Sequence, residues 1–153
     1  MNKVTSGDGT PIAFDRLGDG PPVIVVCGAM CDRALMRPAA EELARHFTVF
    51  NYDRQGRGDS GDTAPYAVQR EIEDVGALVD VAGGTASVYG HSSGAGLVLH
   101  AAAHGLPMAK IVLHDPPTRP MATRRRDVVR GSTARSSGPR FRRTAAARRS
   151  NCS

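Results

Sequence analysis

A short apolar run, Val88-Tyr89, ends in Gly90-His91-Ser92-Ser93-Gly94, and an alanine-rich helical pattern follows it. No other stretch restricts the possible folds so strongly. Gly-x-Ser-x-Gly at a strand-to-helix junction demands a turn sharp enough to strain the serine backbone, and only residues without side chains at Gly90 and Gly94 leave room for it. Ser92 is thereby held out on the tip. The same turn aims the N-terminus of the next helix, with its unpaired N–H groups and partial positive charge, at an oxyanion forming beside the hydroxyl. Such a junction is a nucleophile elbow.

The rest of the chain supplies the strands and helices that an elbow needs around it. Residues 9–17 read as a short half-buried strand, closed by the turn signal Gly18-Asp19-Gly20-Pro21-Pro22. Val23-Ile24-Val25-Val26-Cys27 is a continuous, largely β-branched run, as expected of a strand buried on both faces of a parallel sheet, and it ends in Gly28-Ala29-Met30. Residues 37–46 read as a helix with Pro38 in its first turn and acidic residues toward its N-terminal end, and residues 47–52 as a second inner strand. After the loop Asp53–Asp62, Val68, Ile72, Val75 and Val79 mark one face of an amphipathic helix over 66–81. A strand over 85–89 leads into the elbow, a helix over 93–104 is apolar almost all round, and 109–114 is one more strand, ended by Asp115-Pro116-Pro117. Alternating strands and helices predict a parallel α/β sheet with right-handed crossovers, and ligands at the carboxyl ends of its strands.

Charge divides the chain at Thr118. Residues 1–117 carry 9 Lys and Arg against 14 Asp and Glu, whereas residues 118–153 carry 11 Arg against Asp127 alone. The net charge of +5 therefore averages two unlike pieces and says nothing about the first. Residues 118–153 show no apolar periodicity, so a partial α/β domain over 1–117 followed by a disordered basic tail is expected, with a short helix over 121–130 or around 145–147 as the exception. Arg124-Arg125-Arg126, Arg142-Arg143 and Arg148-Arg149 could bind phosphates without specificity, but no nucleic-acid recognition motif accompanies them. Three cysteines, Cys27, Cys31 and Cys152, make no disulfide framework, and Cys27-x-x-x-Cys31 lacks the second Cys/His pair of a zinc site. The N-terminus has no apolar segment of the signal-peptide kind, and no run reaches the ~18 residues of a membrane span. A cytoplasmic protein with free thiols, no cofactor, no metal and no membrane partner is expected.

Gly28-Ala29, then Asp53-Arg54-Gln55-Gly56-Arg57-Gly58-Asp59-Ser60, then Gly90-His91-Ser92-Ser93-Gly94 stand in the order found in the α/β-hydrolase family, whose N-terminal half this chain resembles over residues 9–117. The resemblance implies an α/β-hydrolase-like three-layer sandwich, C-terminally incomplete, and a serine hydrolase of esterase type acting on an ester or similar small acyl substrate. It implies Ser92 as nucleophile and the backbone N–H groups of Ser93 and Ala29 as the oxyanion hole. Cys27 stands where many relatives have the His of a His-Gly pair, a substitution that leaves the backbone amide in place. The Asp53–Asp62 loop matches the family's Asp-x-Arg-Gly-x-Gly-x-Ser segment, with Asp53 and Arg57 expected in structural hydrogen bonds. Asp115, just past the strand after the elbow helix, stands where some relatives carry the triad acid; otherwise it is a cap or turn residue.

The family's triad runs Ser, Asp or Glu, His along the chain, and none of the five histidines here, His46, His91, His100, His104 and His114, follows Asp115. His100 lies roughly 12 Å along the helix from Ser92 at 1.5 Å per residue, and His91 is held by the elbow itself. Two expectations follow. Either the chain is a weak or inactive serine hydrolase, or it is a truncated or frame-shifted relative in which an Arg-rich reading begins near Thr118. Substrate identity and oligomeric state are not encoded in these motifs.

Overall fold

A computed structural model of the protein describes residues 1–117. The expectations for 118–153, namely disorder, a short helix, the arginine clusters and the Cys152 thiol, lie outside the described residues.

Strands β1 (Asn2–Thr5), β2 (Pro11–Leu17), β3 (Pro22–Val26), β4 (Thr48–Tyr52), β5 (Ala86–His91) and β6 (Met108–His114) form one sheet in the order β1-β2-β4-β3-β5-β6. Helices α1 (Arg37–Leu43), α2 (Val68–Val81) and α3 (Ser93–Ala103) connect its parallel part. β4, β3, β5 and β6 run parallel, with Val25 paired to both Asn51 and Tyr89. β1 and β2 are antiparallel additions, β2 pairing with β4 through Phe14↔Tyr52 and Leu17↔Val49. The α/β sandwich expected from the sequence is thus present, but the sheet is mixed rather than wholly parallel. β1 was not foreseen, because Asn-Lys-Val-Thr offers a single apolar residue, Val4, to the core.

Strand alternation assigns side chains to two layers. Ile24, Val26, Phe50, Tyr52 and Val88 face α2 and α3, meeting Ile72, Val75, Leu78, Val79, Leu97 and Val98 in the larger core. Val25, Cys27 and Val49 face the other way, toward Met36 and Ala40 of the α1 region. β3 is therefore buried on both faces, as its unbroken apolar sequence requires. α1 closes at Leu43, so Glu41 and Glu42 fall in its last turn instead of near its start; Glu41 pairs with Arg37 at 2.6 Å. Among the described residues β6 is the outermost strand on its side of the sheet, and Ile111 and Val112 are exposed. No helix among the described residues is long and apolar enough to cross a membrane.

Candidate active site

The elbow forms where the sequence places it. β5 delivers His91, Ser92 adopts φ 52° and ψ −122°, and α3 begins at Ser93. Positive φ is costly for a residue with a side chain, and the surroundings hold it there. The Ser92 N–H donates to the His114 carbonyl at the end of β6 (2.8 Å), and the Ser92 carbonyl accepts from the Ala95 N–H (2.9 Å). Glycine is required on both sides. A Cβ on Gly90 would lie 2.7 Å from the Ala95 Cα, and one on Gly94 would lie 2.3 Å from the Val26 carbonyl oxygen and 2.5 Å from that of Cys27. The start of α3 is thus packed directly on the end of β3.

That close approach brings the loop after β3 beside the elbow. A Cβ on Gly28 would sit 3.4 Å from the Ser92 Cβ, 3.4 Å from His91 Nδ1 and 3.6 Å from Cys31 Sγ. The peptide that carries the Ala29 N–H is oriented by its own carbonyl, that of Gly28, which accepts from the Cys31 N–H at 3.3 Å. The peptide carrying the Ser93 N–H is oriented in the same way, through the Ser92 carbonyl bonded to Ala95. As the first residue of α3, Ser93 has no acceptor within the helix, and no side chain caps the N-cap position. The peptide of Ala29 is thus held in the loop beside the elbow and that of Ser93 within the elbow, each fixed by its own carbonyl.

Behind the loop lies a polar scaffold. Asp53, 1% exposed, accepts from the Arg33 backbone N–H (2.7 Å), the Arg33 guanidinium and the Asp59 N–H (2.9 Å). Arg57 Nε donates to the Ala29 carbonyl at 2.8 Å. Asp53 and Arg57 thus make the structural bonds that the loop motif suggested, and Arg57 ties down the loop after β3 from outside. Two groups escaped the sequence reading. Arg54 and Glu71 form a buried ion pair, Nε to Oε2 at 2.5 Å, and Arg54 Nη1 also donates to the Cys27 carbonyl (3.2 Å) and Ser93 Oγ (3.1 Å). Burial opposes the charge on Arg54, and the Glu71 carboxylate together with Tyr52 and Cys27 outweighs it, so the guanidinium is held more firmly protonated than usual. The thiol of Cys27 donates to the Cys31 carbonyl at 3.2 Å, and burial pushes it up to about 11, so it stays protonated near neutrality.

The histidines fall into two groups, one beside the elbow and one farther away. His91 and His114 are register partners whose rings meet edge-on with centroids 5.2 Å apart. His114 Nδ1 shares a 2.5 Å hydrogen bond with the Tyr89 hydroxyl, and His91 Nδ1 is buried without a partner. His104 Nδ1 donates to the His100 carbonyl at the far end of α3, and both rings are exposed, as is His46. Asp115 follows β6 at φ 50°, exposed, its backbone next to the residue that binds the Ser92 N–H. Among the described residues, neither Ser92 Oγ nor the Asp115 carboxylate is hydrogen-bonded to an imidazole.

Known proteins place this geometry in context. A family model described as the alpha/beta hydrolase family matches residues 23–151. An alpha/beta hydrolase from Sphaerobacter thermophilus is 62% identical and superposes with a TM-score of 0.74, over 76% of this chain and 45% of that one. A thermophilic esterase from Thermogutta terrifontis is 28% identical with a TM-score of 0.71, over 80% of this chain and 47% of its own. Among curated proteins, N-formylmaleamate deformylase from Pseudomonas putida is 33% identical over 104 residues, 65% of this chain and 39% of its own length. The chain thus spans less than half the length of each of these relatives. With the match covering well over half of the sequence, and the elbow, the glycine loop and the sheet order all in place, the chain belongs to the alpha/beta hydrolase family.

Proposed function

We propose that this chain carries the nucleophilic half of a serine hydrolase site of esterase type, acting on an ester or similar small acyl substrate. The observation that supports this reading most is the strained Ser92 flanked by the fixed peptides of Ala29 and Ser93. In such a site Ser92 Oγ attacks the acyl carbon, and the carbonyl oxygen, becoming an oxyanion, is received by the two N–H groups. The arrival of charge at donors that need no reorganisation lowers the barrier. Among the described residues no imidazole is hydrogen-bonded to Ser92 Oγ, so within this polypeptide the serine proton passes to solvent. Asp115 is the candidate acid, beside the elbow but without a histidine to orient. The reaction in this polypeptide is accordingly weak. The free thiols of Cys27 and Cys31 favour a reducing, cytoplasmic setting.

The absence of an imidazole on Ser92 also favours a second reading, a non-catalytic relative whose Arg-rich stretch at most binds anionic surfaces without specificity. Hydrolysis of p-nitrophenyl acetate separates the two. The first reading expects a slow rate that drops to the solvent background in Ser92→Ala; equal rates for both proteins reject it and leave the second.

A further inference from the structure

We propose that Arg54 and Glu71 act as a pair of positioning residues that hold the two oxyanion donors at a fixed separation; the idea rests on the site proposed above. In the sheet, β3 lies between β4 and β5. Arg54 stands two residues past the end of β4, and its guanidinium crosses the end of β3 to reach the first residue of α3. One nitrogen, Nη1, bonds both to the Cys27 carbonyl, in the peptide leading to Gly28-Ala29, and to the hydroxyl of Ser93, whose N–H is the second donor. The loop after β3 and the helix after β5 are separate segments, and no backbone hydrogen bond joins Ala29 to Ser93 among the described residues. Arg54 is the side chain that bonds to both segments.

Glu71 fixes Arg54 from the other direction. It projects from the first turn of α2, is 1% exposed, and takes Arg54 Nε at 2.5 Å. A guanidinium has the geometry for this work, because its donors diverge in one rigid plane and engage a carboxylate and a carbonyl at the same time. Lysine could meet Glu71 or the Cys27–Ser93 side, but its single ammonium cannot bridge them with the same fixed fork. Because the charge of Arg54 is matched by Glu71, its contribution is the placement of Ala29 and Ser93 rather than direct neutralisation of an oxyanion.

The test uses the full chain with Arg54→Met combined with Glu71→Leu, so that no unpaired charge is left buried, and Arg54→Lys as a milder change. Hydrolysis of p-nitrophenyl acetate is measured as kcat and KM, and the amide resonances and hydrogen exchange of Ala29 and Ser93 are compared with those of Val88. The proposal expects kcat to fall about 10- to 100-fold with KM within about twofold, the scale set by ångström-level misplacement of catalytic groups. It also expects shifted, faster-exchanging Ala29 and Ser93 amides with Val88 unchanged, and an intermediate effect in Arg54→Lys. Loss of thermal stability with kcat and both amides unchanged would show a merely structural ion pair and overturn the proposal. If the double variant does not fold, Arg54→Lys decides by the same readouts. If wild-type hydrolysis equals that of Ser92→Ala, the hydrolase reading fails on its own, and the amide measurements still decide whether Arg54 sets the loop and helix.

Discussion

Asp74 offers the sharpest quantitative test of how the α2 face is built. It sits in the middle of α2, 1% exposed, with neither carboxylate oxygen hydrogen-bonded, among Ser6, Asp8, Glu71 and Glu73. Burial, followed by the neighbouring carboxylates, pushes its pKa from 3.8 to about 6, while the nearby Ser6 hydroxyl eases the shift without a well-formed bond. The folded chain therefore holds the Asp74 proton more tightly than the unfolded chain. Its stabilising contribution is complete below pH 3.8 and is lost as pH rises through about 6, where the carboxylate is charged in both states. A shift of about two units at roughly 1.4 kcal/mol each makes the ionised group cost about 3 kcal/mol at pH 7. Asp74→Asn removes that titration and keeps the shape. Urea unfolding should show the variant about 2–3 kcal/mol more stable than wild type at pH 7, with the difference shrinking toward zero near pH 4. A variant of equal or lower stability at pH 7, or a difference independent of pH, would refute the reasoning.

Two further substitutions probe the frame around the serine. Gly94→Ala places a Cβ 2.3 Å from a backbone oxygen of β3 that no rotamer can move, so α3 must shift; unfolding by urea should report a loss of about 1–3 kcal/mol, and a change within 0.5 kcal/mol would contradict the packing described. Asp53→Ala deprives the Arg33 N–H, its guanidinium and the Asp59 N–H of their shared acceptor at once. Breaking a buried pair costs about 3–5 kcal/mol, and the remaining Asp15 and Asp59 partners of Arg33 put the expected loss, read from the same unfolding curves, near the lower figure.

The elbow was legible because its constraint is local: Gly90 and Gly94 are dictated by atoms only a few ångströms away, and spacing alone reveals them. β3 was legible for a different reason, since burial on both faces leaves an unbroken apolar run. β1 and the antiparallel setting of β2 were not, because strand direction depends on a distant partner, β4, and an edge strand needs only one inward side chain. The Arg54–Glu71 pair joins residues 17 apart that no short motif connects. Glu71 and Asp74 each precede an apolar position of α2 by one residue, about 100° around the helix, where a periodicity reading assigns polar side chains to solvent. Their burial comes from the β1–β2 segment and the loop after β4 closing over that side of α2. Among the site residues, Ser92 and Ser93 sit at the turn and the Gly28–Ala29 loop lies beside them, while Asp115 follows His114, whose carbonyl accepts from the Ser92 N–H.

The central proposal is that Ser92 acts from a strained backbone beside two fixed N–H donors, with no imidazole bonded to its hydroxyl among the described residues. Deacylation then also proceeds without an imidazole and limits turnover, so the acyl group transferred to the serine should accumulate during the slow hydrolysis. Incubation of the full chain with p-nitrophenyl acetate, followed by peptide mass spectrometry, tests this directly. The account predicts one acetyl group on the peptide containing Ser92, absent from the same peptide of Ser92→Ala. Acetylation confined to Lys3, Lys110 or the N-terminus, and identical in the two proteins, would contradict it.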